Sequence, residues 1–402
     1  MEGGAAAQLR MFSKEARSGI FGRIARGELG VLQVLIGLAL IWTVFQLAND
    51  RFLSAVNLTN LMLQITAVGT ISVGVVLVLL LGEIDLSIGA VSGLAAGVMG
   101  VLTVQHGLSP ELAILAGLLV GTAIGLFNGF MVTYFGIPSF VVTLAGLLAW
   151  QGALLAVLGK TGTINFPPST ITDLTSTFYG AGVGWTLAVA VTAATLASGL
   201  MTRRRRQAAD LEPPPLAGIL LRTVAVGVAV FVAVAILLSD RGIPLAVLIL
   251  LVLVAGFAFI TQRTRFGRHI YAVGGNAEAA RRAGIKINRV RIMVFMLGST
   301  LAAAGGILAA SRLISVNQAS GSGDLLLDAI AGPVIAGTSL FGGRGSVWTA
   351  LLGALVIGSI SNGMDLLGLN SDVKYMITGG VLLAAVTLDA LARRQRSQVQ
   401  VT

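Results

Sequence analysis

The sequence predicts an all-α, polytopic membrane protein with about twelve transmembrane helices and an internal parallel repeat. Three observations carry this. Of 402 residues, 55% are apolar and only 11% charged, and the mean hydropathy is +0.91; soluble domains carry roughly 25% charged residues. The apolar residues lie in runs of the length a helix needs, about 20 residues for about 30 Å of hydrocarbon, where a membrane β-barrel would show short alternating strands. The basic residues cluster between those runs.

The runs place spans near 30–48, 60–81, 86–104, 111–134, 138–158, 183–201, 216–238, 243–261, 291–311, 325–341, 347–368 and 374–391. With the N-terminus inside and the crossings alternating, the basic clusters 10–26, 203–206, 263–291 and 393–396 all fall on the cytoplasmic side. That parity puts 22 of the 27 Lys/Arg inside and leaves Arg51, Lys160, Arg241, Arg312 and Lys374 outside. A missed span would scatter the clusters. The net charge of +10 therefore reports orientation in a lipid bilayer rather than a nucleic-acid partner.

This organisation gives a cytoplasmic N-terminal segment 1–29, a transmembrane domain 30–391 and a cytoplasmic tail 392–402, with both termini inside. No small-residue cleavage site follows a short apolar core, so the first span reads as uncleaved. The outer loop 159–182 is polar and nearly uncharged, with only Lys160 and Asp173. The inner segment 202–215 reads as a linker. It joins Arg203–Arg206, most simply a stop-transfer signal, to Pro213-Pro214-Pro215. There is no cysteine, which excludes disulfides and thiolate metal sites.

The region 60–158 resembles the region 325–391 in layout. Gly121-Thr-Ala-Ile-Gly125-Leu-Phe-Asn128-Gly129 echoes Gly353-Ala-Leu-Val-Ile-Gly358-Ser-Ile-Ser-Asn362-Gly363, and each follows a glycine-bearing break, Gly82–Ser87 and Phe341–Ser346. Both breaks follow an outside-to-inside span, so the repeats run parallel. Glycine-rich membrane helices also resemble one another by composition alone. Gly117, Gly121, Gly125 and Gly129, like Gly89, Gly93 and Gly97, recur every four residues and make flat faces for close helix approach, static or sliding.

Ionisable residues within spans are costly and few. Glu83 and Asp85 lie in the first break, and Asp328 and Asp365 in or near the tenth and eleventh spans. Two readings stand for the first pair: they line a path and hydrogen-bond a polyhydroxylated substrate, or they cap the following helix. The neutral set Gln64, Thr66, Ser87, Asn128, Gln151 and Asn362, with Phe127 and Trp150, supplies amides, hydroxyls and aromatic faces. These suit a neutral sugar, and they equally suit hydrogen bonding between helices. No catalytic set or metal cluster is readable. His106 and His269 are predicted on opposite sides, and Gly159-Lys160-Thr161 lacks the first glycine of a phosphate loop, with Leu at 154.

The loop 262–291 carries eight basic residues against Glu278 alone, so it stands in water. Within it, Asn276-Ala-Glu278-Ala279-Ala280-Arg281-Arg282-Ala283-Gly284 reads as one short helix, capped by Asn276 and ended by Gly284 in a left-handed conformation. A short, formed helix held outside the membrane is offered to a partner.

At these residues the chain resembles a known family. Gly82-Glu-Ile-Asp-Leu-Ser-Ile-Gly89 is similar to the Gly-x-Ile-Asp-Leu-Ser-x-Gly signature of bacterial sugar ABC-importer permeases of the ribose, xylose, galactose and arabinose type. Ile270–Ile285 resembles their cytoplasmic coupling loop, and Ala336-Gly-Thr-Ser-Leu-Phe-Gly-Gly-Arg-Gly-Ser-Val347 their third signature. That signature commonly has glycine where this chain has Glu83. The shorter members have ten spans, and two more around 183–240 resemble the longer, xylose-type form.

The resemblance implies a subunit in the bacterial inner membrane that passes a monosaccharide, xylose or a related pentose. It further implies a second permease copy, a periplasmic sugar-binding protein and an ATP-binding subunit with two nucleotide-binding modules. ATP and Mg would sit on that subunit, with no cofactor in this chain, and the helix 276–284 would dock in its groove. The alternative, motivated by Glu83, Asp85 and the repeat, is an ion-coupled secondary sugar transporter.

Overall fold

The computed structural model describes residues 30–381, together with 383 and 387. The segment 1–29, the end of the predicted span 374–391 and the tail 392–402 lie outside the described residues. The described chain is all-α and polytopic. Eight of its helices are long and apolar enough to cross a membrane, and two apolar helices, 32–48 and 88–104, are shorter.

Helix α1 (Gly30–Ala48) precedes α2 (Ala55–Leu80). Ser54 starts α2 by accepting from the Asn57 amide at 3.3 Å, and Gly82, at φ +76°, turns the chain away after it ends. α2 is the axis of the molecule, sheathed along nearly its whole length. After it come α3 (Ile88–Gly100, continued by a wider turn over Val101–Gln105), α4 (Pro110–Tyr134) and α5 (Ser139–Leu158), which pack on one another. A short helix, α6 (Thr170–Ser176), follows, its start held by Thr172, whose Oγ1 accepts from the Ser169 amide at 2.9 Å. Then come α7 (Ala181–Gln207), α8 (Leu216–Leu238) and α9 (Leu245–Arg263).

The predicted linker 202–215 is shorter than expected, because α7 runs on through Arg203–Arg206; Arg203 Nη1 donates back to the Pro214 carbonyl at 2.6 Å. Two helices outside the spans, α10 (Arg265–Gly275) and α11 (Ala277–Arg282), lead into α12 (Ile287–Leu313). α13 (Asp324–Ile335) and α14 (Trp348–Leu366) follow, and the chain is helical again from 371. The predicted span 325–341 is therefore corrected. α13 has 12 residues, about 18 Å, and a glycine loop replaces the rest.

Two small antiparallel pairs close the end of the bundle opposite α10 and α11. β1 (Thr163–Asn165) pairs with β4 (Ser315–Asn317), Ile164 facing Val316. β2 (Phe178–Tyr179) pairs with β3 (Ile243–Pro244), Tyr179 facing Ile243. The polar outer loop thus ties α12 and α9 together.

The four-residue glycine row on α4 is a contact face. A Cβ added at Gly121 would lie 2.6 Å from the Ser299 carbonyl, at Gly125 2.7 Å from Met296 Cα, and at Gly129 2.8 Å from Ile292 Cα. α12 therefore lies on α4 backbone to backbone. The row on α3 receives the loop 318–323 at Gly89 and Gly93 and Leu154 of α5 at Gly97. α7 and α8 sit at the edge and expose Val189, Leu220, Leu221, Val224 and Val228, which is ordinary for a face turned to lipid.

Candidate functional site

The break between α2 and α3 climbs alongside α5. The Ile84 amide donates to Ser139 Oγ at 3.2 Å, and Thr143 Oγ1 donates to the Ile84 carbonyl at 3.3 Å. Ser87 then lies opposite Gly146, where an added Cβ would be 3.3 Å from Ser87 Cβ. Seven helical residues from Ser139 to Gly146 are about 10 Å, so α3 starts inside the bundle. From the other end, the loop after β4 descends along α3. Val316 meets Gly100, Ser320 meets Gly93, and Gly321 and Leu326 meet Gly89. The first turns of α3 and α13 thus converge.

A chain of polar side chains fills that region. Asp85 Oδ1 accepts from the Ser87 amide at 2.9 Å and from Ser87 Oγ at 2.6 Å; Asn128 Nδ2 donates to Ser87 Oγ at 3.1 Å. All three residues are buried. No side chain caps the first amides of α3, and Asp85 holds Ser87, the residue just before that helix, with one oxygen. Its second oxygen, Asn128 Oδ1 and Trp150 Nε1 are buried with no hydrogen-bond partner among the described residues. An unmatched buried polar group costs about 1–3 kcal/mol, so three in one place form an unfilled set of acceptors and a donor. Phe127 meets Trp150 edge to face, with ring centres 6.1 Å apart, and is itself half-exposed on α4.

Of the sequence-predicted path residues, the structure brings together Asp85, Ser87, Asn128, Phe127 and Trp150. It does not bring in the other three. Asn362 is buried and accepts from Asn57 Nδ2 at 2.8 Å near the opposite end of α2. Gln64 and Gln151 are half-buried and make no hydrogen bond among the described residues. Asp365 pairs with Lys374, and Asp328 is buried on α13. Gly146, which leaves the room beside Trp150 Nε1, was missed because a lone glycine in an apolar helix carries no signal.

Helix α11 has the expected caps. Asn276 Oδ1 accepts from the Ala279 amide at 2.9 Å, and Gly284 takes φ +81°. Ala280 is buried, while Glu278, Ala279, Arg281, Arg282, Ala283 and Gly284 are exposed. Glu278 lies 3.6 Å from Arg281 and 3.4 Å from Arg282, pairs in open water that contribute little to stability. The exposed Ala279 and Ala283, one turn apart, leave a narrow open ridge.

Sequence reading treated the three motifs separately, and the structure joins them. A Cβ at Gly342 would lie 2.7 Å from both the Gly82 amide and the Gly274 carbonyl, and one at Gly343 2.8 Å from Gly275 Cα. The Gly343 amide donates to the Leu80 carbonyl at 2.9 Å, and Tyr271 Oη donates to the Gly345 carbonyl at 2.9 Å. Burial raises the Tyr271 phenol above its ordinary pKa, which keeps it a donor. The loop 339–346 is thus clamped between the end of α2 and the end of α10.

Comparison with known proteins agrees with the motifs. The family model described as branched-chain amino acid transport system / permease component matches residues 57–386. The chain is 36% identical over 379 residues to the xylose transport system permease protein XylH of Escherichia coli, covering 94% of this chain and 96% of that protein. It is 32% identical over 366 residues to the ribose import permease protein RbsC of Bacillus subtilis, covering 90% and 94%. It is 29% identical over 348 residues to the fructose import permease protein FrcC of Rhizobium meliloti, covering 86% and 81%. No solved structure matches the chain. With a family model matched along most of its length and sugar permeases among its relatives, the chain belongs to the bacterial sugar ABC-importer permease family.

Proposed function

We propose that this chain is the membrane-spanning permease subunit of an ATP-driven importer for a monosaccharide, xylose or a related pentose. A separate ATP-binding subunit with two nucleotide-binding modules docks on α11 and holds ATP and Mg, and a periplasmic binding protein delivers the sugar. The chain crosses the inner membrane about twelve times, with α10 and α11 and both termini in the cytoplasm; 22 of 27 Lys/Arg on that side support the orientation. In this reading α3 and α13 are the shortened helices of two parallel repeats.

The observation that carries the proposal is α11: a helix capped at both ends, one residue buried, its other face open, and joined through glycine contacts to the break beside the polar chain. The polar chain supplies what a neutral sugar needs. Asp85 Oδ2 and Asn128 Oδ1 accept from hydroxyls, Trp150 Nε1 donates, and Phe127 and Trp150 offer faces to C–H groups. Since Phe127 is half-exposed, the site opens toward the flank of one chain, where a second permease copy would close it. Relatives named for xylose, ribose and fructose favour a sugar cargo, and the span pair 181–238 favours the xylose type.

The test is copurification followed by reconstitution. The chain should bring down an ATPase, and xylose-loaded binding protein should stimulate ATP hydrolysis by the complex. Uptake should survive loss of the proton gradient. Removing 276–284 should abolish ATPase docking while the chain stays inserted. Accumulation by the chain alone under an imposed proton gradient would instead establish the ion-coupled transporter.

A further inference from the structure

One ion pair binds the docking segment to the sugar-facing break. Glu83 Oε1 lies 3.0 Å from Arg291 Nη2, with side chains 14% and 30% exposed. Glu83 directly follows Gly82, where α2 has ended, and stands two residues before Asp85. Arg291 is in the second turn of α12, past the short connection from α11. Between them lies one apolar cluster. Ala280 of α11, Ile270 and Val273 of α10, Leu80 of α2 with Leu81 just after it, and Ile287, Val290 and Val294 of α12 all belong to it. A displacement of α11 therefore moves a packed unit whose charged contact with the break is this pair.

The two loops that flank the polar chain are held differently. The loop 339–346 is clamped by backbone contacts and by Tyr271, which many sequences can supply. The break 82–87 is held toward α12 by two charges, which this sequence supplies in particular. The half-buried pair is also incomplete: Arg291 Nε is buried with no acceptor among the described residues. A guanidinium with an unmatched donor has room for a second arrangement of the same partners.

We propose that Glu83 and Arg291 are positioning residues that carry the movement of α11 into the 82–87 break, and so set whether Asp85 and Ser87 hold the sugar site in place. The role rests on the importer reading above and extends it to a particular pair of side chains. Neither residue touches the sugar. Their work is to make ATP hydrolysis and sugar movement occur together.

The experiment uses the complete transporter in proteoliposomes, with Glu83→Gln, Arg291→Glu and the exchanged pair Glu83→Arg with Arg291→Glu. Three quantities are read: ATPase docking, the stimulation of hydrolysis by xylose-loaded binding protein, and sugar imported per ATP consumed. Each single variant should dock the ATPase and keep its basal hydrolysis, yet lose about ten-fold in stimulation and in sugar per ATP. The exchanged pair should recover at least about half of both. If charge reversal impairs insertion, Arg291→Lys keeps the charge without the fork and should lose part of the stimulation with docking intact. Wild-type stimulation in Glu83→Gln, or an exchanged pair no better than the single variants, would overturn the role. A wild-type complex that docks no ATPase would overturn the importer reading itself.

Discussion

A carboxylate inside an apolar bundle persists only where its oxygens are matched. Asp85 splits the requirement: one oxygen takes two hydrogen bonds from Ser87, and the other has no partner among the described residues. The sequence left capping and path-lining as alternatives; the bonded oxygen goes to Ser87, just before α3, and no side chain caps the first amides of that helix. Ser87 is then the hinge of the polar chain, donating to Asp85 and accepting from Asn128. Ser87→Ala should cost about 1–3 kcal/mol, because it strands two buried partners. Gln64→Ala, at a half-buried side chain with no bond, should stay within about 0.5 kcal/mol. Thermal unfolding of the purified chain in detergent reads both, and equal shifts would refute the distinction. The residue types of this chain were legible because polar atoms are rare in the spans. Their partners were not. Asn362 looked like a path residue, yet it is bonded to Asn57, 305 positions away, and no spacing rule reaches that far.

The glycine rows show how an element can be read from one side only. Spacing of four on α4 announced a flat face, but only the structure names α12 as what lies on it. Where the neighbour is backbone, nothing can give. Gly125→Ala should destabilise by about 1–3 kcal/mol through overpacking against Phe295 and Met296. Gly152→Ala is the opposite case. Nothing lies within 4 Å of its added Cβ in mid-α5, so it should be neutral or stabilising by up to about 1 kcal/mol. Melting temperatures of the two variants should move in opposite directions or differ clearly, and a harmless Gly125→Ala would show that α4 and α12 can part. Helix α11 was legible from its caps. Its predecessor α10 was overlooked among the charges, although Phe266, Ile270 and Val273 stand at i, i+4 and i+7, the spacing of one apolar helix face. The strands β1 to β4, two or three residues each, are too short for any alternation to register.

At the scale of the molecule, the hydrophobic runs marked the chain as all-α and polytopic, and eight helices among the described residues are long and apolar enough to cross a membrane. The runs misjudged α13, because the apolar residues of 336–341 carry the run past the point where the helix ends, and hydropathy does not mark a helix end. They also left α7 and α8 without a role. The structure places this hairpin at the edge. It joins the core through a small cluster, Ala188, Val234, Leu237 and Ile243 with Met62 and Tyr179, and through contacts on α2. Lipid tails are as apolar as the side chains they would replace, so losing such a contact costs far less than in water. The chain on either side is already joined, because Tyr179 pairs with Ile243. Deleting 181–240 would leave Gly180, Arg241 and Gly242 as a three-residue turn between β2 and β3, a length that hairpins commonly use. Removing two crossings preserves the alternation, so α10 and α11 should stay on their original side. The shortened chain should therefore insert, keep α11 accessible from the cytoplasm to a thiol reagent at an introduced Ala283→Cys, and still bind the ATPase. Failure to insert, or labelling of that cysteine from the opposite side, would mean that α7 and α8 build the bundle rather than border it.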